Sequence, residues 1–246
     1  MAGILFLISA PSGSGKSTLV NQLRSLVDGL DFSISYTTRA PRGSEQDGRE
    51  YHFISREQFV AMVERGEFLE HAEVFGNLYG TPRTSLSEAA EHGRDLLLDI
   101  DVQGAEQVRQ KVPDAVSIFV LPPNPAVLEM RLRNRSRAEG VVAEQVIERR
   151  LAKARIEIEN YRQYRYILVN NILDKAVGEL TAIVKCERLK RGAVENGSAQ
   201  GDLQHLTDAE RCRQGNVIGL EDVLRSFGLG AQMRLPNQQL FEHGGE

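Results

Sequence analysis

Residues 3–18 read GILFLISAPSGSGKST, a short apolar run followed by a loop rich in serine and glycine. The loop fits the pattern A-x-x-x-x-G-K-S, with Ala10 where the strict phosphate-binding motif has glycine. Gly13 and Gly15 allow backbone conformations that aim successive N–H groups at phosphate oxygens, and the following helix adds its positive N-terminal end. An ordinary serine- and glycine-rich turn would not need a strand before it and a helix after it. The stretch therefore predicts a phosphate-binding loop (P-loop) in an α/β domain.

The last residues of the P-loop indicate a nucleoside triphosphate and a metal ion. The Lys16 amine can reach between the β- and γ-phosphates, and the Ser17 hydroxyl can ligate Mg²⁺. The residues that we predict to bind the triphosphate from this loop are Ala10, Pro11, Ser12, Gly13, Ser14, Gly15, Lys16 and Ser17.

Four apolar runs indicate buried strands. They are GILFLISA (3–10), DLLLDID (95–101), VSIFVL (116–121) and RYILVN (165–170). Each run is nearly continuous rather than alternating, which is typical of a parallel sheet that is covered on both faces. Helical patterns separate the runs, so the sequence predicts an α/β fold with a parallel sheet and helices on both of its faces.

Two carboxylates end the second apolar run, where a P-loop protein needs an acidic group near its metal. Asp99 and Asp101 follow three leucines, and the carboxyl ends of parallel strands border the ligand crevice. Either residue alone could instead cap the helix that the next residues predict. A metal-binding or substrate-binding role for both together is the hypothesis that we favour.

Two segments interrupt the alternation of strands and helices. Residues 35–82 contain SYTTRAPRGSEQDGREYHF and GNLYGTP, a turn-rich insertion with short strands. Within it, Arg39, Arg42 and Tyr51 would suit a phosphate monoester if they converged. Residues 133–150 are rich in arginine and lie between two helical patterns, which favours a mobile flap.

Composition narrows the class of protein. The chain has 246 residues and a net charge of −4, which is unfavourable for binding a nucleic-acid duplex. Its cysteines, Cys186 and Cys212, show neither zinc-site spacing nor a disulfide framework, which predicts a reducing compartment. Neither a signal peptide nor an apolar run of about 20 residues is evident, so we expect a cytoplasmic protein without a membrane anchor.

The composition changes after Arg191 to a glycine-rich and polar stretch, RGAVENGSAQGD. The tetrapeptide TDAE (207–210) is a capping-box pattern, and apolar residues recur with helical spacing from Leu220 to Phe227, before Gly228. Because that apolar stripe is short, we expect the extension 191–246 to be largely flexible with a short helix.

Taken together, the motifs resemble those of the guanylate kinases, a family of nucleoside monophosphate kinases. The resemblance covers about residues 3–190 in the order and spacing of that family. The matching stretches are SAPSGSGKST, SYTTRAPRGSEQDGREYHF, EFLEHAEVFGNLYGTPR, LLLDIDVQGA, VLPPN, RLRNR, ERRLAKA and YILVN. The resemblance implies transfer of the γ-phosphoryl group of ATP to GMP, and to dGMP, with Mg²⁺ as cofactor.

The resemblance also implies roles for individual residues. Those that would read the guanine base are Ser35, Glu70, Thr81 and Asp101. Those that would hold the GMP phosphate are Arg39, Arg42, Tyr51 and Tyr79. Those that would bind ATP beyond the P-loop are Arg131, with Arg135 and Arg150 closing on its phosphates, and Asn170 near the adenine. Asp99 would orient Mg²⁺ through water, with Ser17 as a direct ligand. The implied catalytic residues are Lys16, Arg42, Asp99, Arg135 and Arg150.

The expected organisation has four parts. Residues 1–34, 83–132 and 151–190 form the P-loop core, residues 35–82 a GMP-binding subdomain, residues 133–150 a lid, and residues 191–246 the extension. Two alternatives remain open, a guanylate-kinase-like interaction module that has lost catalysis and a sugar-phosphate kinase with a similar P-loop. We expect small-molecule substrates rather than nucleic acid or membrane, and a monomer or a dimer.

Overall fold

The computed structural model describes residues 3–138, 143–192 and 199–229. Within these ranges the strands are β1 (Leu5–Ser9), β2 (Leu30–Phe32), β3 (Tyr36–Thr37), β4 (His52–Phe53), β5 (Phe68–Val74), β6 (Asn77–Pro82), β7 (Asp95–Asp99), β8 (Val116–Leu121) and β9 (Tyr166–Val169). The α-helices are α1 (Lys16–Leu26), α2 (Arg56–Glu64), α3 (Arg83–Glu91), α4 (Val102–Lys111), α5 (Pro125–Ala138), α6 (Glu144–Ile158), α7 (Leu173–Lys190), α8 (Ala199–Arg211) and α9 (Leu220–Ser226). A 3₁₀-helix, Glu159–Gln163, continues α6.

Five strands form a parallel sheet in the order β2-β7-β1-β8-β9. The four apolar runs correspond to β7, β1, β8 and β9, as predicted. The edge strand β2 was not anticipated, because it has only three residues and carries Asp31 at its centre. The β1 side chains alternate between two apolar clusters. Phe6 and Ile8 pack on the side of α1 and α7, and Leu5 and Leu7 on the side of α4. The α/β prediction, with helices on both faces, is therefore confirmed.

The insertion forms a second sheet in the order β4-β3-β6-β5. Strands β5 and β6 make an antiparallel hairpin, and β3 joins β6 antiparallel and β4 parallel. Helix α2 packs on this sheet through Phe59, whose ring stacks on Phe68 at 4.5 Å between centroids. This apolar contact joins α2 to the second sheet.

The arginine-rich segment is largely helical where the structure describes it. Helix α5 continues to Ala138, and α6 begins at Glu144. The Arg133 guanidinium pairs with Glu129 on its own helix and with Glu144 on α6, so it ties the two helices together. Residues 139–142, at the centre of the predicted flap, lie outside the described residues.

The extension differs from the flexible segment with a single short helix that the sequence predicts. Helix α8 lies against α7, and the Ile167 N–H donates to the Cys212 carbonyl at 2.8 Å. Helix α9 occurs where the apolar spacing predicts it, and Leu220, Leu224 and Phe227 are buried in the cluster that contains Leu5.

The proposed capping box is wrong, because Thr207 lies inside α8 and its hydroxyl donates to the Leu203 carbonyl. The residues that α8 and its end bury, Ala209 and Cys212, are small and carry a weak apolar signal. The sequence therefore could not show that core surface was available to receive them. Residues 193–198 and 230–246 of the predicted extension lie outside the described residues.

Candidate active site

The P-loop connects β1 to α1 at the carboxyl end of the parallel sheet. Gly13 and Gly15 have φ angles of 89° and 88°, in the left-handed region that favours glycine. Space is limiting as well, because a Cβ atom at Gly15 would lie 2.5 Å from Nδ2 of Asn170. Both features favour glycine at these positions. The loop that results can aim its backbone N–H groups at an anion.

Two side chains from elements that are distant in the sequence form hydrogen bonds to the P-loop backbone. The Asn170 amide donates to the Ser14 carbonyl at 2.8 Å, and Arg131 donates to the same carbonyl at 3.1 Å. Arg131 also donates to the Asn170 carbonyl at 3.1 Å. Asn170 follows β9 and Arg131 lies on α5, so the structure brings both predicted residues to the loop. Their observed contacts shape the loop, and the roles beside adenine and phosphate stay predictions.

Lys16 and Asp99 form an ion pair at the entrance to the P-loop. The Lys16 amine also donates to the Ile100 carbonyl at 2.9 Å. The pairing follows from the sheet, because β7 neighbours β1 with Asp99 opposite Ile8. A cation that a bound triphosphate would attract is therefore held beside the carboxylate that we predict to act near the metal.

The donor set at this position fits Mg²⁺ bound together with a triphosphate. The Ser17 hydroxyl is exposed in the first turn of α1, and Asp99 is 17% exposed. In the described residues, the buried Ser14 hydroxyl has no hydrogen-bond partner, which suits a loop that receives an anion. Hard oxygen ligands in small number are typical of Mg²⁺, which keeps several waters and binds through substrate phosphates.

The base-reading residues predicted in the insertion meet at the hairpin. Glu70 on β5 lies opposite Thr81 on β6, whose N–H and hydroxyl both donate to Glu70 Oε1, at 3.1 and 2.5 Å. The Ser35 hydroxyl lies 3.4 Å from the Thr81 hydroxyl. Asp101 caps α4 by accepting from the Gly104 N–H at 2.9 Å, which is the capping role considered as an alternative. The structure thus joins Ser35, Thr81 and Glu70 in one hydrogen-bonded group.

The pKa of the Glu70 carboxyl group is strongly perturbed. Its side chain is only 4% exposed, and burial raises its pKa to about 7. The charge of Asp101 acts in the same direction, against the hydrogen bonds from Thr81. A buried carboxylate with such a pKa is suited to accept hydrogen bonds from a ligand that brings its own donors.

The predicted phosphate-binding residues surround a carboxylate that the sequence analysis did not single out. Arg39 Nη2 donates to both Glu45 oxygens, at 3.1 and 2.9 Å, and the Arg42 N–H donates to Glu45 at 2.8 Å. The Arg39 guanidinium lies 5.4 Å from the centre of the Tyr51 ring, which contacts the Tyr79 ring at 5.8 Å. In the described residues, Arg39 Nε is buried without a partner. Glu45 therefore positions the Arg39 guanidinium and the Arg42 backbone, in the segment that we predict to bind the phosphate.

The arginines predicted for the lid lie on two adjacent helices. Arg135 is exposed near the end of α5, and Arg150 on α6 donates to the Ser136 hydroxyl of α5 at 2.8 Å. Their closure on ATP phosphates stays a prediction. Arg133, which also lies in this segment, forms the ion pair between α5 and α6 described above.

Glu157 links the P-loop to the hairpin, and no sequence motif indicated this role. It accepts from the Ser12 N–H at 3.4 Å and pairs with Lys153 at 3.6 Å. The Lys153 amine lies 4.4 Å from the ring centre of Phe75, at the tip of the β5–β6 hairpin. The spacing of Lys153 and Glu157 by four residues was visible in the sequence, but their distant partners were not.

A P-loop beside a second sheet that carries a buried carboxylate, Glu70, with Arg39 close by, is typical of P-loop kinases of the nucleoside monophosphate class. The family model for guanylate kinase matches residues 3–187. The chain belongs to the guanylate kinase family.

Individual relatives agree with that membership. A guanylate kinase of Koribacter versatilis is 54% identical over 228 residues, which cover 92% of this chain and 97% of that protein. A guanylate kinase of Nitrosospira multiformis is 50% identical over 188 residues, 76% of this chain and 88% of that protein. The crystal structure of guanylate kinase from Anaplasma phagocytophilum matches with a TM-score of 0.64 and 31% identity, over 93% of this chain and 96% of that one.

Proposed function

We propose that this protein is an ATP:GMP phosphotransferase that converts ATP and GMP to ADP and GDP. The observation that carries the proposal is the buried Glu70 carboxylate, which Thr81 and Ser35 accompany at one edge of a site beside the P-loop. Family membership supports the same reaction. It also argues against an inactive interaction module, as do Lys16 and Ser17, which an active P-loop requires.

The chemistry of the base explains the choice of guanine. Guanine presents an N1–H and an exocyclic amine on one edge, with the O6 acceptor beside them. Glu70 can accept from both donors. The Ser35 hydroxyl can donate to O6, while the Thr81 hydroxyl donates to Glu70 Oε1 and orients that carboxylate. Adenine has a bare N1 lone pair on this edge, which would face a carboxylate and leave buried polar groups unpaired, and this causes strong rejection.

The proposed transfer needs alignment and positive charge rather than a protein nucleophile. An anionic oxygen of the GMP phosphate, held by Arg39, Arg42, Tyr51 and Tyr79, attacks the γ-phosphorus of ATP. The bond from that phosphorus to the β–γ bridging oxygen breaks, and ADP leaves with the electron pair. Lys16, with Arg135 and Arg150 from the lid, stabilises the charge on the transferring oxygens.

Mg²⁺ held by Ser17, and by Asp99 through water, would neutralise phosphate charge when bound. Closure of the 133–150 segment would keep water, a competing acceptor, away from the phosphoryl group.

We infer a cytoplasmic location for the working enzyme, as a monomer or a dimer. Cys186 and Cys212 are both buried and free of disulfide bonds, which is consistent with a reducing compartment. In the described ranges, none of the helices has the length and apolar character that crossing a bilayer requires.

A substrate panel tests the proposal. The purified full-length chain is incubated with ATP, Mg²⁺ and one of GMP, dGMP, AMP, CMP or UMP, and ADP release is measured. We expect turnover with GMP and dGMP, and kcat/KM lower by about 100-fold or more with the other three, because none of their bases offers Glu70 two adjacent donors. GMP binding without ADP release would favour the inactive module, and equal use of AMP would refute the assigned base pocket.

A further inference from the structure

Gly104, in the first turn of α4, faces the carboxylate of Glu70. A Cβ atom placed on Gly104 would lie 2.2 Å from Glu70 Oε2, 2.8 Å from Cδ and 3.4 Å from Cγ. The first two distances are shorter than any real contact of a methyl group, so a side chain here would have to displace the Glu70 carboxylate by roughly 1 Å. The carboxylate therefore occupies the space that a side chain at position 104 would take.

Glu70 has little freedom to make room. It is buried, and both Thr81 donors hold its Oε1 atom from the opposite strand. Moving the carboxylate away from α4 would stretch those two hydrogen bonds, or force the carboxylate out of the position that the hairpin register sets.

Helix α4 is fastened to β5 on both sides of Glu70 by the same helix face that carries Gly104. The Gln107 amide donates to the His71 carbonyl at 2.7 Å and accepts from the His71 N–H at 3.3 Å. The Lys111 amine donates to the Leu69 carbonyl at 2.5 Å. Positions 104, 107 and 111 share one face of a helix. The helix therefore cannot retreat from Glu70 without breaking these three hydrogen bonds.

We propose that Gly104 is a specificity-determining position that sets where the Glu70 carboxylate meets the guanine edge. The inference rests on the proposed function. It means that α4 fixes the position of the Glu70 carboxylate in the base pocket. The Gly104 N–H also donates to Asp101, which caps α4, so one residue adjoins both carboxylates of the predicted base site. Alanine keeps that N–H, so a Gly104→Ala variant changes the Glu70 side of the contact and preserves the cap.

The test compares Gly104→Ala with Gly178→Ala. Gly178 lies in α7, and a Cβ atom there meets nothing within 4 Å in the described part of the chain. Alanine is the better helix former at both sites, so a loss confined to position 104 is not an effect of helix propensity. We expect Gly104→Ala to lower kcat/KM for GMP by about 10- to 100-fold, mainly through KM, since hydrogen bonds to a charged group are affected. The KM for ATP should stay within about twofold of the parent value, as should every constant of Gly178→Ala.

Two further measurements identify the route of the effect. The ratio of kcat/KM for GMP to that for IMP, which lacks the exocyclic amine, should fall in Gly104→Ala. In a Glu70→Ala background, where the clash is absent, adding Gly104→Ala should change kcat/KM for GMP by less than about twofold.

The outcomes separate this inference from the proposed function. Absence of GMP-dependent turnover in the parent protein contradicts the proposed function itself. Parent-like GMP kinetics in Gly104→Ala, or an undiminished loss in the Glu70→Ala background, overturns the inference alone. If Gly104→Ala unfolds by circular dichroism, recovery of folding on adding Glu70→Ala supports the steric contact, and failure to recover refutes it.

Discussion

At the residue scale, Lys16 is a cation that the fold holds at the P-loop, beside the predicted site of transfer. Its amine pairs with Asp99 and donates to the Ile100 carbonyl, so it is already oriented at the mouth of the P-loop. Removal of one preorganised cation from a phosphoryl-transfer site weakens stabilisation of the transition state more than it weakens ground-state binding.

We therefore expect Lys16→Ala to lower kcat by about 100-fold or more. The KM for GMP, which we predict to bind at the other sheet, should change little. Steady-state kinetics with GMP varied at saturating ATP measure both constants. Lys175→Ala, at a position whose side chain is 72% exposed on α7, is the matched control. Turnover of Lys16→Ala near the parent rate would show that the triphosphate lies elsewhere.

A second prediction at this scale concerns Glu70, because burial raises the pKa of its carboxyl group to about 7. The ionised carboxylate is the form that would accept from both guanine donors in the proposed complex. Below pH 7 the protonated form predominates, so kcat/KM for GMP should rise about 10-fold between pH 6 and pH 8. A pH profile of kcat/KM measures this change.

Glu70→Gln supplies the control for that profile, because the phosphate of GMP itself titrates near pH 6. The variant retains the phosphate titration and loses that of the carboxylate. We expect lower activity and a flatter profile. The same slope in Glu70→Gln as in the parent would assign the titration to another group.

At the element scale, the two helices of the extension act as parts of the core. Helix α9 is short, and a helix of this length is marginal in isolation. Its stability derives from Leu220, Leu224 and Phe227, which pack into the cluster on one face of the parallel sheet. Helix α8 brings Ala209, and Cys212 just after it, to the cluster on the other face. The segment after Arg191 thus contributes to both sides of the sheet.

Leu224→Ala should lower the free energy of unfolding by about 2–5 kcal/mol, since the side chain is fully buried and its removal leaves a cavity. Ile218→Ala is the control, because Ile218 is 93% exposed and its truncation should change stability by less than about 0.5 kcal/mol. Denaturant unfolding followed by circular dichroism measures both values. Equal, small effects would mean that α9 does not pack on the core in solution.

At the scale of the whole molecule, chemistry and stability depend on different parts of the chain. Every residue to which we assign a catalytic or binding role precedes Arg191, whereas buried core residues continue to Phe227. The sequence alone predicts a dispensable extension, and the structure changes that expectation, because removing it would expose apolar surface on both faces of the sheet.

A chain that ends at Gly192 should therefore melt at a lower temperature than the full chain. Its remaining folded fraction should turn over GMP within a few-fold of the parent rate, since the predicted active-site residues are all retained. Thermal melting and kinetics on the same preparation measure the two properties. An unchanged melting temperature would contradict the packing of α8 and α9, and a folded but inactive truncation would place the extension in the active site.

Much of the fold and of the candidate site could be predicted because neighbouring residues in the sequence encode it. The loop from Ala10 to Ser17 carries its own glycine requirement, and the strands that become β1, β7, β8 and β9 are continuous apolar runs. The family resemblance named Glu70, Thr81 and Ser35 by motif, and the structure places these three together. Their contacts with substrate stay a prediction.

The sequence by itself determined four of the five strands of the parallel sheet, the P-loop and the family, because each depends on residues that are close in the chain. Only the tertiary structure decided which distant residues support them. Glu157 accepts from Ser12 across 145 positions, and Gly104 on α4 lies against Glu70 on β5, with three elements between them in the chain. The burial of α8 and α9 likewise depends on core surface that other segments leave uncovered. Such contacts arise from packing in three dimensions. The local pattern of apolar and polar residues does not indicate which surfaces will come into contact.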